Sequence, residues 1–182
     1  MKTVLVLLAP GSEEIETITV VDILRRAGAR VTLAGTENGA LEGSRGIMIL
    51  PDEALDNVLE LDYDLLVLPG GQPGTDNLNN DARVSQLLKK MNGLGKYIAA
   101  ICAAPLILQN AGILKDRRVT SHPSAQTGLD GISYSEDRVV VDGNIITSRS
   151  PGTAMEFSLK LVELLFGRER MDVVNKGVLA KL

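Results

Sequence analysis

Apolar runs of strand length recur along the chain and set its rhythm: TVLVLLA from Thr3, RVTLAG from Arg30, DLLVLPG from Asp64, KYIAAIC from Lys96 and RRVTS from Arg117. Each is bounded by turn residues and shows no polar alternation, the pattern of a strand covered on both faces. Between them lie stretches with helical spacing. From Glu14 to Ala27, Ile15, Ile18, Val21 or Asp22, and Leu24 follow helical spacing, and Ala82 to Met91 behaves similarly. Strands alternating with helices predict an α/β sandwich around a mostly parallel sheet.

Two segments interrupt the alternation. GSRGIMIL, from Gly43 to Leu50, reads as a short extra strand after a glycine turn, and DRVVVDGNIITS carries Asp142-Gly143 between two β-branched runs, the signature of a hairpin. Both are expected as additions to the sheet. The chain should close with a helix from Thr153 to Phe166, a stop at Gly167 and a last helical stretch reaching Leu182. Without repeat or linker, residues 1–182 are read as one domain.

Composition narrows the picture. Aromatic residues make up only 3% of the chain, so the core must be built from Val, Leu, Ile and Ala. A net charge of -4 without any Lys/Arg block argues against nucleic acid and favours small molecules or proteins as partners. The apolar start ends at Ala9 and is followed by Glu13, Glu14 and Glu16, which fits a first strand better than a signal peptide. No run approaches the roughly 18 apolar residues of a membrane span. The single cysteine allows no internal disulfide, as expected of a reducing, cytoplasmic setting.

That cysteine is Cys102, in AAICAAP. A lone cysteine is commonly just a small buried hydrophobe. Here, however, it follows a buried strand and precedes Pro105, which suits the first turn of a helix. Ala100 and Ala104 flank it as small-x-Cys-x-small, the spacing of the G-x-S-x-G nucleophile elbow. The thiol is then expected at the carboxyl edge of the sheet, where ligands bind in open α/β folds. Helix N–H groups there are expected to favour the thiolate.

Three partners can reach the same edge. Glu13, Glu14 and Glu16 open the first helix; dipole complementation accounts for the first two, while Glu16 could aim its carboxyl at Cys102 and, if buried there, would be protonated. Gly70 and Gly71, in LPGGQPGT, can present bare N–H groups to an oxyanion or form an ordinary glycine turn. The spacing misses the dinucleotide fingerprint G-x-G-x-x-G. His122, the only histidine, follows RRVTS in a loop.

Taken together, LAPGSEEIE, VLPGG, AAICAAP, VTSHP and SRSPGTA resemble the ThiJ/PfpI superfamily, and within it the branch of the parkinsonism-associated deglycase and its bacterial ThiJ-like relatives. The resemblance runs in the same order through essentially the whole chain. It implies a flavodoxin-like three-layer sandwich and a homodimer. It also implies that Cys102 is the nucleophilic, oxidisable cysteine, that Glu16 is its protonated partner, and that His122 is the site histidine. Backbone at Gly71 and Ala103 would cradle oxygens on the sulfur, Arg45 would reach the site across the dimer, and Pro151 would line it.

Departures from the superfamily matter too. Ala103 stands where the protease-like branch has histidine, which counts against a peptidase, and His122-Pro123-Ser124 lacks the His-x-Glu pair of glutamine amidotransferases. Gly43 and Leu50 occupy places where close relatives carry further cysteines. The activity implied is a cofactor-independent glyoxalase or deglycase acting on methylglyoxal, glyoxal or early glycation adducts in carbonyl and oxidative stress defence. The alternative is a redox-sensing stress protein or chaperone that works through oxidation of Cys102. A role in thiazole biosynthesis has no supporting motif.

Overall fold

The computed structural model describes residues 1–180. In chain order the elements are β1 (Thr3–Leu8), α1 (Glu14–Arg26), β2 (Arg30–Gly35), β3 (Leu41–Glu42), β4 (Met48–Ile49), β5 (Glu53–Ala54) and β6 (Leu65–Leu68). Then follow α2 (Gly74–Asn80), α3 (Ala82–Gly93), β7 (Tyr97–Ile101), α4 (Pro105–Asn110), β8 (Arg118–Val119) and β9 (Ser133–Tyr134). The chain ends with β10 (Val139–Asp142), β11 (Ile145–Ser148), α5 (Ala154–Phe166) and α6 (Arg168–Val178).

The central sheet has seven strands in the order β10-β11-β7-β6-β1-β2-β5. All pair in parallel except β10, which is antiparallel to β11. The uniformly apolar runs follow from this layering. Along β1, Val4, Val6 and Leu8 pack on one side with α1, α5 and α6, while Leu5 and Leu7 pack on the other with α2, α3 and α4. The fold is the flavodoxin-like three-layer sandwich.

Topology positions the site. From β1 the chain moves outward to β2 and β5, then returns to β6 and proceeds the other way to β7 and β11. The crevice at the carboxyl ends of β1 and β6 is the point of reversal, where doubly wound sheets bind ligands. Glu16 follows β1, Gly70 follows β6 and Cys102 follows β7. Three separate chain segments therefore converge at one edge.

Three expectations need correction. RRVTS keeps only Arg118–Val119 as strand, in a small separate sheet with β9. Side chains take the place of a ladder there: Asp142 accepts from the Arg118 N–H at 2.8 Å and Thr147 Oγ1 from the Thr120 N–H at 2.9 Å. The segment ending at Leu50 also stays off the main sheet, its strand β4 pairing only with β3. The last helix stops at Val178, with Leu179 left-handed at φ 56°; the expected end at Leu182 lies outside the described residues.

Candidate functional site

The sharp turn after β7 forces Cys102 into the left-handed region at φ 65°, a conformation that costs a non-glycine residue about 1–2 kcal/mol. Its backbone is held from both sides. The Cys102 N–H donates to Ser148 O at 3.0 Å, and the His122 N–H donates to Cys102 O at 2.9 Å. Ala100 and Ala104 are fully buried beside the turn, and Pro105 opens α4. The elbow predicted from small-x-Cys-x-small is present.

Glu16 owes its position to the start of α1. Glu13 caps the helix by accepting the Glu16 N–H at 2.7 Å, which turns the Glu16 side chain inward until it is fully buried. There Glu16 Oε2 accepts the Gly70 N–H at 2.8 Å, while Oε1 is buried without a hydrogen-bond partner. Burial pushes the carboxyl up to about 7, with the charge of Glu13 adding to the effect and the Gly70 N–H and the Cys102 thiol opposing it. Glu16 is therefore a group that exchanges its proton near neutrality.

The thiol behaves differently from the expected thiolate. Burial pushes it up to about 12, reinforced by the Glu16 carboxylate, and the N–H groups of Gly71 and Ala103 only partly offset this. Two acids in one dry crevice cannot both ionise cheaply. A protonated Glu16 removes the charge part of its contribution, leaving burial as the main cause.

Gly70 makes the juxtaposition possible. A Cβ there would stand 2.6 Å from Cys102 Cβ and 2.8 Å from Glu16 Oε2, so only glycine lets the two side chains close over it. Its N–H belongs to Glu16, however, which removes Gly70 from the expected oxyanion donors and leaves Gly71 with Ala103. Gly71 sits at φ 89°, and a Cβ there would stand 2.5 Å from the Glu13 backbone nitrogen.

The remaining candidates divide. His122 comes to Cys102 through its backbone, while its ring Nδ1 accepts the Ser124 N–H at 3.2 Å and caps the turn Pro123–Leu129. Pro151 begins the short turn Pro151–Thr153 that leads into α5. Arg45 is exposed. Sequence reasoning underrated Glu14, which accepts from the Arg45 N–H at 2.7 Å, the Ile47 N–H at 3.3 Å and Ser44 Oγ at 3.1 Å, pinning the loop between β3 and β4. Burial opposes its ionisation, but these donors outweigh burial and hold the carboxyl below its ordinary value.

A cavity of about 590 Å³ lies elsewhere, at the β2 and β5 edge among Arg25, Val31, Asp52 and Asn57. Among the described residues no cluster of three His, Cys, Asp or Glu could hold a metal ion, and no helix is long and apolar enough to cross a membrane.

Comparison with known proteins identifies the family. Protein dj-1beta of Drosophila melanogaster is 47% identical over 181 residues, covering 98% of this chain and 97% of that protein. Its crystal structure superposes with a TM-score of 0.95 at 46% identity, covering 98% of this chain and 97% of the other. A Caenorhabditis elegans protein named glutathione-independent glyoxalase DJR-1.2 is 39% identical, covering 96% of this chain and 95% of its own length. The DJ-1/PfpI family profile matches residues 2–164, and the chain belongs to that family.

Proposed function

We propose that the protein is a cofactor-independent glyoxalase that converts methylglyoxal or glyoxal to the hydroxy acid, with early glycation adducts as further substrates of the same thiol. The observation that carries this reading is the contact of Cys102, on its strained elbow, with a buried carboxyl pushed up to about 7. The glyoxalase name of the Caenorhabditis elegans relative supports it.

In the proposed reaction the Cys102 sulfur adds to the aldehyde carbon of methylglyoxal, and the thiol proton passes through Glu16 to the aldehyde oxygen, giving a hemithioacetal. Ionised Glu16 then removes the hydrogen from that carbon, giving an enediolate; the proton of the first carbon's hydroxyl passes to the oxygen of the neighbouring carbon, and Glu16 returns its proton to that carbon. The first carbon is thereby oxidised and the second reduced, which leaves a lactoyl thioester. Water cleaves the thioester, releasing lactate and restoring the thiol. The N–H groups of Gly71 and Ala103, directed at the sulfur, are suited to hold the oxyanion formed on the adjacent carbon. His122, its ring engaged with Ser124, ranks behind Glu16 as proton carrier.

The partner we assign is a second copy of the chain. Ile15 and Ile18 of α1 are about half exposed, as are Ile47 and Met48 of the neighbouring loop and strand, and Leu50 is more so. Glu14 ties these two segments together and fixes Arg45 among them, so a second copy covering this face would receive Arg45 at its own surface.

The test is lactate formation by the purified protein without glutathione, alongside Cys102→Ser and Glu16→Gln. Turnover abolished by both changes supports the enzyme. Equal inactivity of all three overturns it in favour of an oxidisable thiol whose sulfinate the same N–H groups would stabilise.

A further inference from the structure

Cys102 retains its strained conformation because its N–H and its C=O are both held, and the second of these bonds comes from the turn that contains His122. That turn has little ladder of its own, since β8 ends at Val119. Arg149 reaches it from the end of β11. Its Nε donates to Ser121 O at 3.2 Å and its Nη1 to Glu136 O at 3.1 Å, joining the turn to the loop after β9. The base of Arg149 is fixed as well: its N–H donates to Thr153 Oγ1 at 3.2 Å, and that hydroxyl lies 2.7 Å from Ser148 Oγ. Ser148 is the residue whose carbonyl accepts the Cys102 N–H.

A continuous arm therefore runs from Thr153 through Arg149 to Ser121 and His122, and both of its ends close on the backbone of Cys102. We infer that Arg149 is a positioning residue, whose forked guanidinium locks the His122 turn against the Cys102 carbonyl and so maintains the elbow. The two acceptors are neutral carbonyls on different segments. A planar fork can serve both at once, whereas a lysine ammonium provides the charge without that fixed geometry. For turnover the inference rests on the glyoxalase reading; for the geometry of the thiol it does not.

The experiment compares Arg149→Lys and Arg149→Met with the parent chain in three measurements. Amide hydrogen exchange at His122 should quicken in both variants while Leu66, in the middle of the sheet, stays protected. The rate of Cys102 alkylation by iodoacetamide should change about tenfold in both, with its pH profile displaced. Methylglyoxal kcat should fall about ten- to a hundredfold with KM nearly unchanged, as expected when a reacting atom drifts by a fraction of an ångström. Unaltered exchange and alkylation in both variants would overturn the inference, as would full restoration by lysine, which would assign the effect to charge alone. Should Arg149→Met not fold, Arg149→Lys, with its similar stem and the same charge, carries the test. If the parent chain turns over no methylglyoxal, the glyoxalase reading falls while exchange and alkylation still decide the role of Arg149.

Discussion

Replacing Glu16 with Gln preserves the size of the side chain and an oxygen to accept the Gly70 N–H, but removes the ionisation. In the folded chain the Glu16 carboxyl stands at about 7 against an ordinary 4.5, because burial penalises its charged form. Between those values the native state binds a proton that the unfolded chain releases. Its contribution to stability is therefore complete below pH 4.5 and is lost as pH rises through about 7. The displacement corresponds to roughly 3 kcal/mol. Carboxyls such as Glu14 and Asp64, held below their ordinary values by hydrogen bonds, act in the opposite sense: their contribution is present above the unfolded value and lost as pH falls through the folded one. Subtracting the variant's profile from the parent's isolates Glu16. Urea unfolding followed from below pH 4.5 to above pH 7 should show the parent losing roughly 3 kcal/mol relative to Glu16→Gln. Parallel profiles would refute the assignment of a buried, proton-exchanging carboxyl. The same substitution removes the negative charge facing the sulfur, so Cys102 should alkylate faster at alkaline pH even though turnover is lost.

Gly70→Ala would place a methyl group 2.6 Å from Cys102 Cβ, 2.8 Å from Glu16 Oε2 and 2.9 Å from Ile101 O. Relief requires the thiol and carboxyl to separate, so stability should fall by about 1–3 kcal/mol and turnover about a hundredfold, measured by thermal melts and lactate release; an active, fully stable variant would contradict the packing described. Sedimentation of the native chain should give twice the mass of one copy, and Ile47→Asp, which puts a charge on the exposed apolar face, should shift it to one copy. A monomeric parent would remove the second copy from the site.

How much of this was legible in the sequence depends on how local each determinant is. The runs at Thr3, Arg30, Asp64 and Lys96 identified themselves because both faces of each strand are covered, leaving no polar alternation to confuse the reading. RRVTS had the same composition yet kept only two residues of strand, because its partners are the Asp142 and Thr147 side chains of a hairpin more than twenty residues away. The elbow was legible because its geometry demands small residues at fixed positions either side of one cysteine. Glu14 and Glu16 looked alike in the sequence and differ in the fold only by the direction each takes from the first turn of α1. One meets the donors of a loop and stays ionised; the other is buried against one glycine N–H and a thiol, and titrates near neutrality.

That last difference bears directly on the chemistry. A thiol at a strand-to-helix turn is often expected to be activated by lowering its own proton affinity, yet here burial and the facing carboxyl raise it. The crevice holds a protonated thiol beside a carboxyl that titrates near neutrality, rather than a standing thiolate. Such a pair is suited to a substrate that must first gain a proton on oxygen and then lose one from carbon, because the group that delivers the first is left as the base for the second. A standing thiolate beside an ionised Glu16 would have no proton to deliver. The raised proton affinities of Cys102 and Glu16 come first from burial of both groups, and the close approach that Gly70 permits adds the carboxylate's charge to the thiol.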